Sequence, residues 1–218
     1  MSRGGGTREL RIVGGRWRSR RLRFLDLPGL RPTPDRVRET LFNWLQFEVP
    51  GRHVLDLFAG SGALGFEALS RGAASLTLVE RDARQAAGLR DAATTLAAEH
   101  CQVLTADSER WLRTAVAPPG GYGLILLDPP FHQDIPARVL ALLAEKGWLN
   151  AGVWVYVETE QAPDSLTLPP ALVLHRQTRA GLVHALLYHV ADAAEAPDTD
   201  SAGQGEKNRA GDPAGEPA

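Results

Sequence analysis

The segment GLILLDPPFH, residues 123–132, ends an apolar run on Asp128 and follows it with Pro129, Pro130, Phe131 and His132. A carboxylate at the end of a buried strand is costly unless a polar partner occupies it. The exocyclic amine of a nucleobase is such a partner. Its lone pair is delocalised into the ring, so the nitrogen is a poor nucleophile. Acceptors that bind both amino hydrogens turn the lone pair outward and stabilise the positive charge that develops on nitrogen during methylation. Asp128 supplies one acceptor and the Pro129 carbonyl a second. The prolines stiffen the turn and bring no amide donor to compete. Phe131 offers a face on which a flipped base stacks, worth roughly 1–3 kcal/mol. Alignment of nitrogen, methyl and sulfur would supply most of the acceleration, about 7–11 kcal/mol, with no metal required. His132 reads as a loop residue.

A second constellation lies upstream. In DLFAGSGALG, residues 56–65, Gly60, Gly62 and Gly65 have the G-x-G-x-x-G spacing, with Phe58 and Ser61 in the same turn. Such glycines allow a tight strand-to-helix turn and close approach of a ligand to backbone amides. Glu80 ends the next strand about twenty residues on, where an acid accepts from ribose hydroxyls. Asp107 follows the third strand at the same edge, beside an adenine in this reading. Both NAD and S-adenosylmethionine fit the spacing. Asp56 favours the latter, because an acid before the loop repels a pyrophosphate and attracts an ammonium or sulfonium. A purely structural Asp56, bonded to amides of its own loop, is the alternative.

These residues need a scaffold that brings them to one edge. HVLDLF, SLTLVE, CQVLT, GLILLD and VWVYVE are short apolar strands, separated by helical segments such as GALGFEALSRG and DARQAAGLRDAATTLAAEH. The alternation predicts an α/β fold, a doubly wound Rossmann-like sheet that is mostly parallel. ALVLHRQT and GLVHALLYHV are separated by too short a turn for a crossover, which predicts an antiparallel C-terminal hairpin. In such a sheet the strand ending on Asp128 lies beside the one ending on Asp56, across the crevice from the glycine loop. Near the N-terminus, LRIVGGRWRSRRLRFL reads as a β-hairpin around Gly14 and Gly15. Thr33 is expected to cap the helix RVRETLFNWLQF, with Pro34 at its first position.

The chain has 218 residues, one cysteine (Cys101) and a net charge of −2. One cysteine excludes an intramolecular disulfide and a cysteine-based zinc site. No run of about 20 apolar residues is available for a membrane span, which predicts a soluble, cytoplasmic protein. Charge is unevenly distributed: residues 1–38 carry eleven arginines against Glu9, Asp26 and Asp35. The expected organisation is a basic N-terminal arm of hairpin and helix at 1–50, a catalytic domain at 51–190, and a disordered acidic tail at 191–218. No segment stands out as an oligomerisation element, so a monomer is expected.

VLDLFAGSGALGFEALSRGA with LDPPF resembles the class I S-adenosylmethionine-dependent methyltransferases. RIVGGRWRSRRL followed by RPTPDRVRETLFNWL narrows the resemblance to the RsmD family, from about residue 9 to 190. That family methylates the 2-amino group of one guanine, 966 in the usual ribosomal numbering, in 16S rRNA of the small ribosomal subunit. The resemblance implies that Asp56, Gly60 and Gly62 line the methionine end of S-adenosylmethionine, Glu80 its ribose and Asp107 its adenine. It implies that Asp128, Pro129, Pro130 and Phe131 form the acceptor site. Arg11, Arg16, Arg18, Arg20, Arg21 and Arg23 are candidate phosphate contacts. Trp17 either stacks on RNA or packs the hairpin, and Arg31, Arg36 and Arg38 either touch RNA or orient their helix over the pocket. An adenine-N6 or cytosine-N4 DNA methyltransferase has the same acceptor geometry. A binding-only assembly factor would have no need of an intact glycine loop, Glu80 and DPPF together.

Overall fold

The computed structural model describes residues 6–131 and 134–191. His132 and all but the first residue of the proposed tail lie outside the described residues. The chain opens with the expected hairpin, β1 (Thr7–Arg11) and β2 (Arg21–Leu25), antiparallel with Leu10 opposite Leu22. Helix α1 (Asp35–Trp44) follows. The alternating part then runs β3 (His53–Asp56), α2 (Ala63–Ser70), β4 (Ser75–Glu80), α3 (Ala83–Thr95), β5 (Cys101–Thr105), α4 (Ser108–Thr114), β6 (Leu124–Leu127), α5 (Ile135–Glu145) and β7 (Trp154–Thr159). It ends in the hairpin β8 (Leu172–Ala180) and β9 (Val183–Val190).

The main sheet has seven strands in the order β5-β4-β3-β6-β7-β9-β8. Strands β3 to β7 are parallel, and β9 runs antiparallel to both β7 and β8. Helices cover both faces of the sheet, which explains why the inner parallel strands β3, β4, β6 and β7 are largely apolar on both sides, whereas edge strand β5 exposes Gln102 and Thr105. Val54, Leu76, Leu78, Leu124, Leu126 and Tyr156 point into one core with α1, α2 and α3. Leu55, Val79, Ile125, Leu127, Val155 and Val157 point into the other with α4 and α5. Among the described residues no helix is long and apolar enough to cross a membrane.

The N-terminal hairpin has no core of its own. Leu10, Ile12, Trp17, Leu22 and Phe24 are buried in the same cluster as α1, α2 and α3. What reads in the sequence as an arm is packed against helices α2 and α3 of the catalytic domain.

Thr33 does not cap α1. Pro34 occupies the cap position without a side-chain hydrogen bond. A residue before proline is held extended, and the Thr33 hydroxyl turns inward to Glu158.

Candidate active site

Neighbouring strands β4 and β6 leave β3 on opposite sides, so the winding reverses at β3 and a crevice opens beyond the carboxyl ends of these strands. A cavity of about 410 Å³ fills it. Its walls include Asp56, Phe58, Gly60, Ser61, Glu80, Asp107, Asp128, Pro129, Pro130 and Phe131. The sequence-predicted cofactor and acceptor residues are therefore gathered in one place, apart from Gly62, which starts α2 just behind the wall. The segment Leu27–Thr33, between β2 and α1, closes the cavity from the hairpin side.

The glycine loop is built for close approach. Gly60 and Gly62 have φ of +49° and +79°, the left-handed region that only glycine enters without cost. Gly65 serves packing instead: a Cβ there would lie 2.5 Å from Leu78 Cδ2 and 3.2 Å from Asp56 Oδ2. Glu80 holds the loop in shape, its two carboxylate oxygens accepting from Gly60 N at 2.9 Å and Asp82 N at 2.8 Å. Gln85, which the sequence did not single out, donates to Gly60 O at 2.6 Å and accepts from Leu25 N at 3.0 Å. It thus ties the glycine loop to the end of the N-terminal hairpin. Asp107 caps α4 by accepting from Arg110 N at 3.0 Å while lining the cavity. Ser108 bonds the Leu57 carbonyl beside it.

Asp56 accepts from Phe58 N at 3.3 Å and Gly65 N at 3.2 Å, so it organises its own loop as well as facing the cavity. Its pKa is raised from 3.8 to about 7, chiefly by burial and in smaller part by Glu80 and Glu158, against the lowering by these two amides. Asp128 is pushed well above the usual carboxylate range by desolvation first, then by Glu158 and Asp56.

Glu158 is the main residue that sequence reasoning missed. It is 5% exposed, and the parallel register of β6 and β7, with Leu127 beside Val157, brings it next to Asp128. Its Oε1 accepts from Thr33 Oγ1 at 2.7 Å and from the Tyr156 hydroxyl at 2.9 Å. Thr33 Oγ1 also lies 3.4 Å from Asp128 Oδ2. The signal was present, because VWVYVE ends an apolar strand on an acid just as LILLD does. Three adjacent strands, β3, β6 and β7, thus bring Asp56, Asp128 and Glu158 to one edge. Among the described residues no arginine or lysine pairs with any of the three.

The candidate RNA-contact residues lie elsewhere, and two are corrected. Trp17 is buried, with the Arg16 guanidinium 4.1 Å from its ring centroid, so it packs the hairpin and does not stack on RNA. Arg38 is 1% exposed and reaches the Thr33 and Arg11 carbonyls, Asp35 and Glu67. It orients α1 and the hairpin, and is not available to a phosphate. Arg11, Arg16, Arg18, Arg20, Arg21, Arg23 and Arg36 are all exposed. Some are already engaged: Arg11 pairs with Asp35, Arg21 and Arg23 with Glu9, and Arg20 donates to Thr95 O.

Residues 10–189 match a protein-family model described as conserved hypothetical protein 95. The ribosomal RNA small subunit methyltransferase D of Escherichia coli (strain K12) is 43% identical over 183 residues, covering 84% of this chain and 91% of that protein. Its Haemophilus influenzae counterpart is 41% identical over 182 residues, covering 83% and 93%. The chain belongs to the ribosomal RNA small subunit methyltransferase D family. As a member of that family it is a methyltransferase. The solved structure of yhhF from Escherichia coli superposes with a TM-score of 0.77 at 42% identity, covering 84% of this chain and 98% of that one. The Thermus thermophilus 16S rRNA N2 G1207 methyltransferase, solved with AdoMet and guanosine, shares the fold at 21% identity and a TM-score of 0.60, over 86% of this chain and 51% of that one.

Proposed function

We propose that this protein transfers a methyl group from S-adenosylmethionine to the exocyclic N2 of one guanine, 966 in the usual numbering, in 16S rRNA of the small ribosomal subunit. The observation that carries the reading is the position of Asp128 beside Asp56 in a single cavity with the glycine loop. Its relatives bear the name of ribosomal RNA small subunit methyltransferases. Such a substrate implies a cytoplasmic enzyme.

The residues present fit the cofactor. Buried acids without an internal cation complement an ammonium and a sulfonium, and the Gly60 and Gly62 turn admits a ligand against the backbone. Asp56 and the loop around Ser61 would hold the methionine end, Glu80 the ribose, and Asp107 and Phe58 the base. When bound, S-adenosylmethionine supplies an electrophilic methyl group.

Everything else falls to the chain. The Asp128 carboxylate and the Pro129 carbonyl accept the two amino hydrogens of the target base, which directs the nitrogen lone pair toward the methyl site and stabilises charge on that nitrogen. Phe131, half-buried in the cavity wall, stacks on the base. Pro129 is buried and fixes the turn, so the acceptors are in place before the base arrives.

The test supplies labelled cofactor together with small subunits lacking the modification, and with duplex DNA in parallel. Label at a single guanine of 16S rRNA is expected, and lost in Asp128→Ala while that variant still binds cofactor. Label in DNA alone would transfer the activity to a different nucleic acid. Wild-type protein inactive on both would leave a binding-only factor.

A further inference from the structure

Asp128 is one end of a hydrogen-bonded chain that leads away from the cavity. Thr33 Oγ1 stands between two acids, 3.4 Å from Asp128 Oδ2 and 2.7 Å from Glu158 Oε1. A hydroxyl has one proton to give. The Thr33 hydroxyl is within donor reach of both acids; its one proton favours the shorter contact, to Glu158, and once Asp128 is protonated the Thr33 oxygen can accept from it. Tyr156 fixes the far end by donating to the same Glu158 oxygen at 2.9 Å. The arrangement has a direction: a proton on Asp128 can pass to Thr33 while the Thr33 proton passes to Glu158.

Methyl transfer to an amine creates the need for such a route. The product nitrogen carries two hydrogens, the new methyl group and a positive charge, and neutral product forms only when one proton leaves. Resting on the function proposed above, we infer that Glu158 is a positioning residue that acts through Thr33, orienting its hydroxyl toward Asp128 and receiving the proton that Asp128 takes from the methylated amine. The steps balance. The N–H bond breaks and an O–H bond forms on Asp128. The Asp128 proton then bonds Thr33 Oγ1 as the Thr33 proton bonds Glu158 Oε1, leaving Asp128 ionised and Glu158 neutral; once the product has left, the proton returns by the same path and Asp128 gives it to water in the cavity it lines.

The groups facing Glu158 support this. Thr33 comes from the segment before α1, Tyr156 from β7 itself, Asp128 from β6 and Asp56 from β3, while its β9 neighbour is Ala185. The nearest buried guanidinium, Arg38, is committed to the Thr33 carbonyl, Asp35, Glu67 and the Arg11 carbonyl. With no cation to hold it ionised, Glu158 can accept a proton. Two hydroxyl donors keep it from carrying that proton permanently, opposing the upward shift that burial imposes. Glu158 and Thr33 are both buried, whereas Asp128 lines the cavity, so the Thr33 hydroxyl is the link between Glu158 and Asp128.

The experiment pairs turnover with a readout that needs no substrate. Carboxyl carbons of aspartate and glutamate are labelled with ¹³C and titrated by NMR in wild type, Glu158→Gln, Thr33→Val and Thr33→Ser. In wild type Asp128 is expected to titrate high and in step with Glu158. In Glu158→Gln the Asp128 titration should become independent and fall by about one pH unit, since a like charge is removed. The acid limb of the turnover–pH profile should move down with it. Thr33→Val should retain cofactor binding and lose turnover by roughly a hundredfold or more, the lower reach of proton-transfer catalysis. Thr33→Ser should restore it. An unchanged Asp128 titration in Glu158→Gln, or wild-type turnover in Thr33→Val, overturns the inference. If wild type methylates no rRNA, the proposed function fails, and the titrations still decide whether the two acids are linked.

Discussion

The carboxylate of Glu67 lies 3.2 Å from the Arg38 guanidinium, and the two side chains are 0% and 1% exposed. Glu67 also accepts from Val13 N at 2.8 Å, Gly14 N at 2.7 Å and Arg71 Nε at 2.9 Å. One buried acid thus joins the N-terminal hairpin, α1 and α2, the helix that starts at the glycine loop. Ser70 adds a clamp one turn on, accepting from Trp17 N at 3.0 Å and donating to Gly14 O at 2.6 Å. The arginine-rich hairpin is held in a fixed orientation to the cofactor site.

Removing one partner of a buried ion pair strands the other, at a cost of about 3–5 kcal/mol. Glu67→Ala is therefore expected to lower the unfolding free energy by about that amount, because it leaves the Val13 and Gly14 amides without their acceptor and takes from Arg38 its one fully buried carboxylate, Asp35 and two carbonyls remaining. Arg38→Ala should do likewise. Denaturant unfolding measures both, and a loss below about 1 kcal/mol in each would show that water reaches the pair.

The parallel sheet was legible because alternating strands and helices allow few other topologies, and the GLVHALLYHV hairpin was legible from its short turn. The DPPF and glycine-loop residues converge as their positions at strand ends imply. For Arg38 and Trp17 the sequence left a packing role and an RNA role both open, because composition counts residues without locating them, and their burial selects the packing role. The spacing in α1 carries the missing clue: Val37, Arg38, Leu41, Phe42 and Leu45 form one buried stripe, and Arg38 lies within it. The Thr33 contacts could not be read in this way. They span 95 and 125 residues of sequence, and no local pattern encodes which hydroxyl meets which acid.

Asp56 should make cofactor affinity depend on pH. Its pKa is raised from 3.8 to about 7, so below that pH it is largely neutral and attracts no cation. S-adenosylmethionine binding is expected to tighten as pH rises from 6 to 8, by up to about tenfold per unit below the pKa. Without ligand the sign is opposite. The folded state holds the Asp56 proton more tightly than the unfolded chain, so this residue's contribution to stability is greatest below about pH 4 and declines as pH rises to about 7. The shift corresponds to no more than about 4 kcal/mol. Asp56→Asn should flatten both profiles, as calorimetric titration and thermal unfolding across pH would show. Parallel profiles in variant and wild type would assign the dependence to the other acids.

Gly65 should tolerate no side chain. A methyl group would sit 2.5 Å from Leu78 Cδ2, 3.0 Å from Leu76 Cδ1 and 3.2 Å from Asp56 Oδ2, against two core leucines and the acid that holds the loop. Overpacking of this kind costs about 1–3 kcal/mol. Gly65→Ala is expected to lose that much stability and to weaken cofactor binding as well, because Asp56 must shift. Gly88, on the open side of α3, has nothing within 4 Å of the point where a methyl group would sit, and serves as the control. Gly88→Ala should be neutral or slightly stabilising in the same unfolding assay.

The exposed arginines should not contribute equally to RNA binding. Arg18, Arg31 and Arg36 are exposed and have no side-chain partner among the described residues, whereas Glu9 already pairs with Arg21 and Arg23, and Asp35 with Arg11. Each phosphate neutralised by a free cation releases counterions and steepens the salt dependence by about 0.7–0.9 log units. Replacing Arg18, Arg31 and Arg36 with alanine is expected to flatten the slope of log affinity against log salt by about 2 in total. Replacing Arg21 and Arg23 should flatten it less per residue, because Glu9 already neutralises part of their charge and leaves less of it to meet phosphate. Binding to small subunits measured across a salt series separates the two sets. An equal change per residue from both would mean that Glu9 releases its partners when RNA arrives.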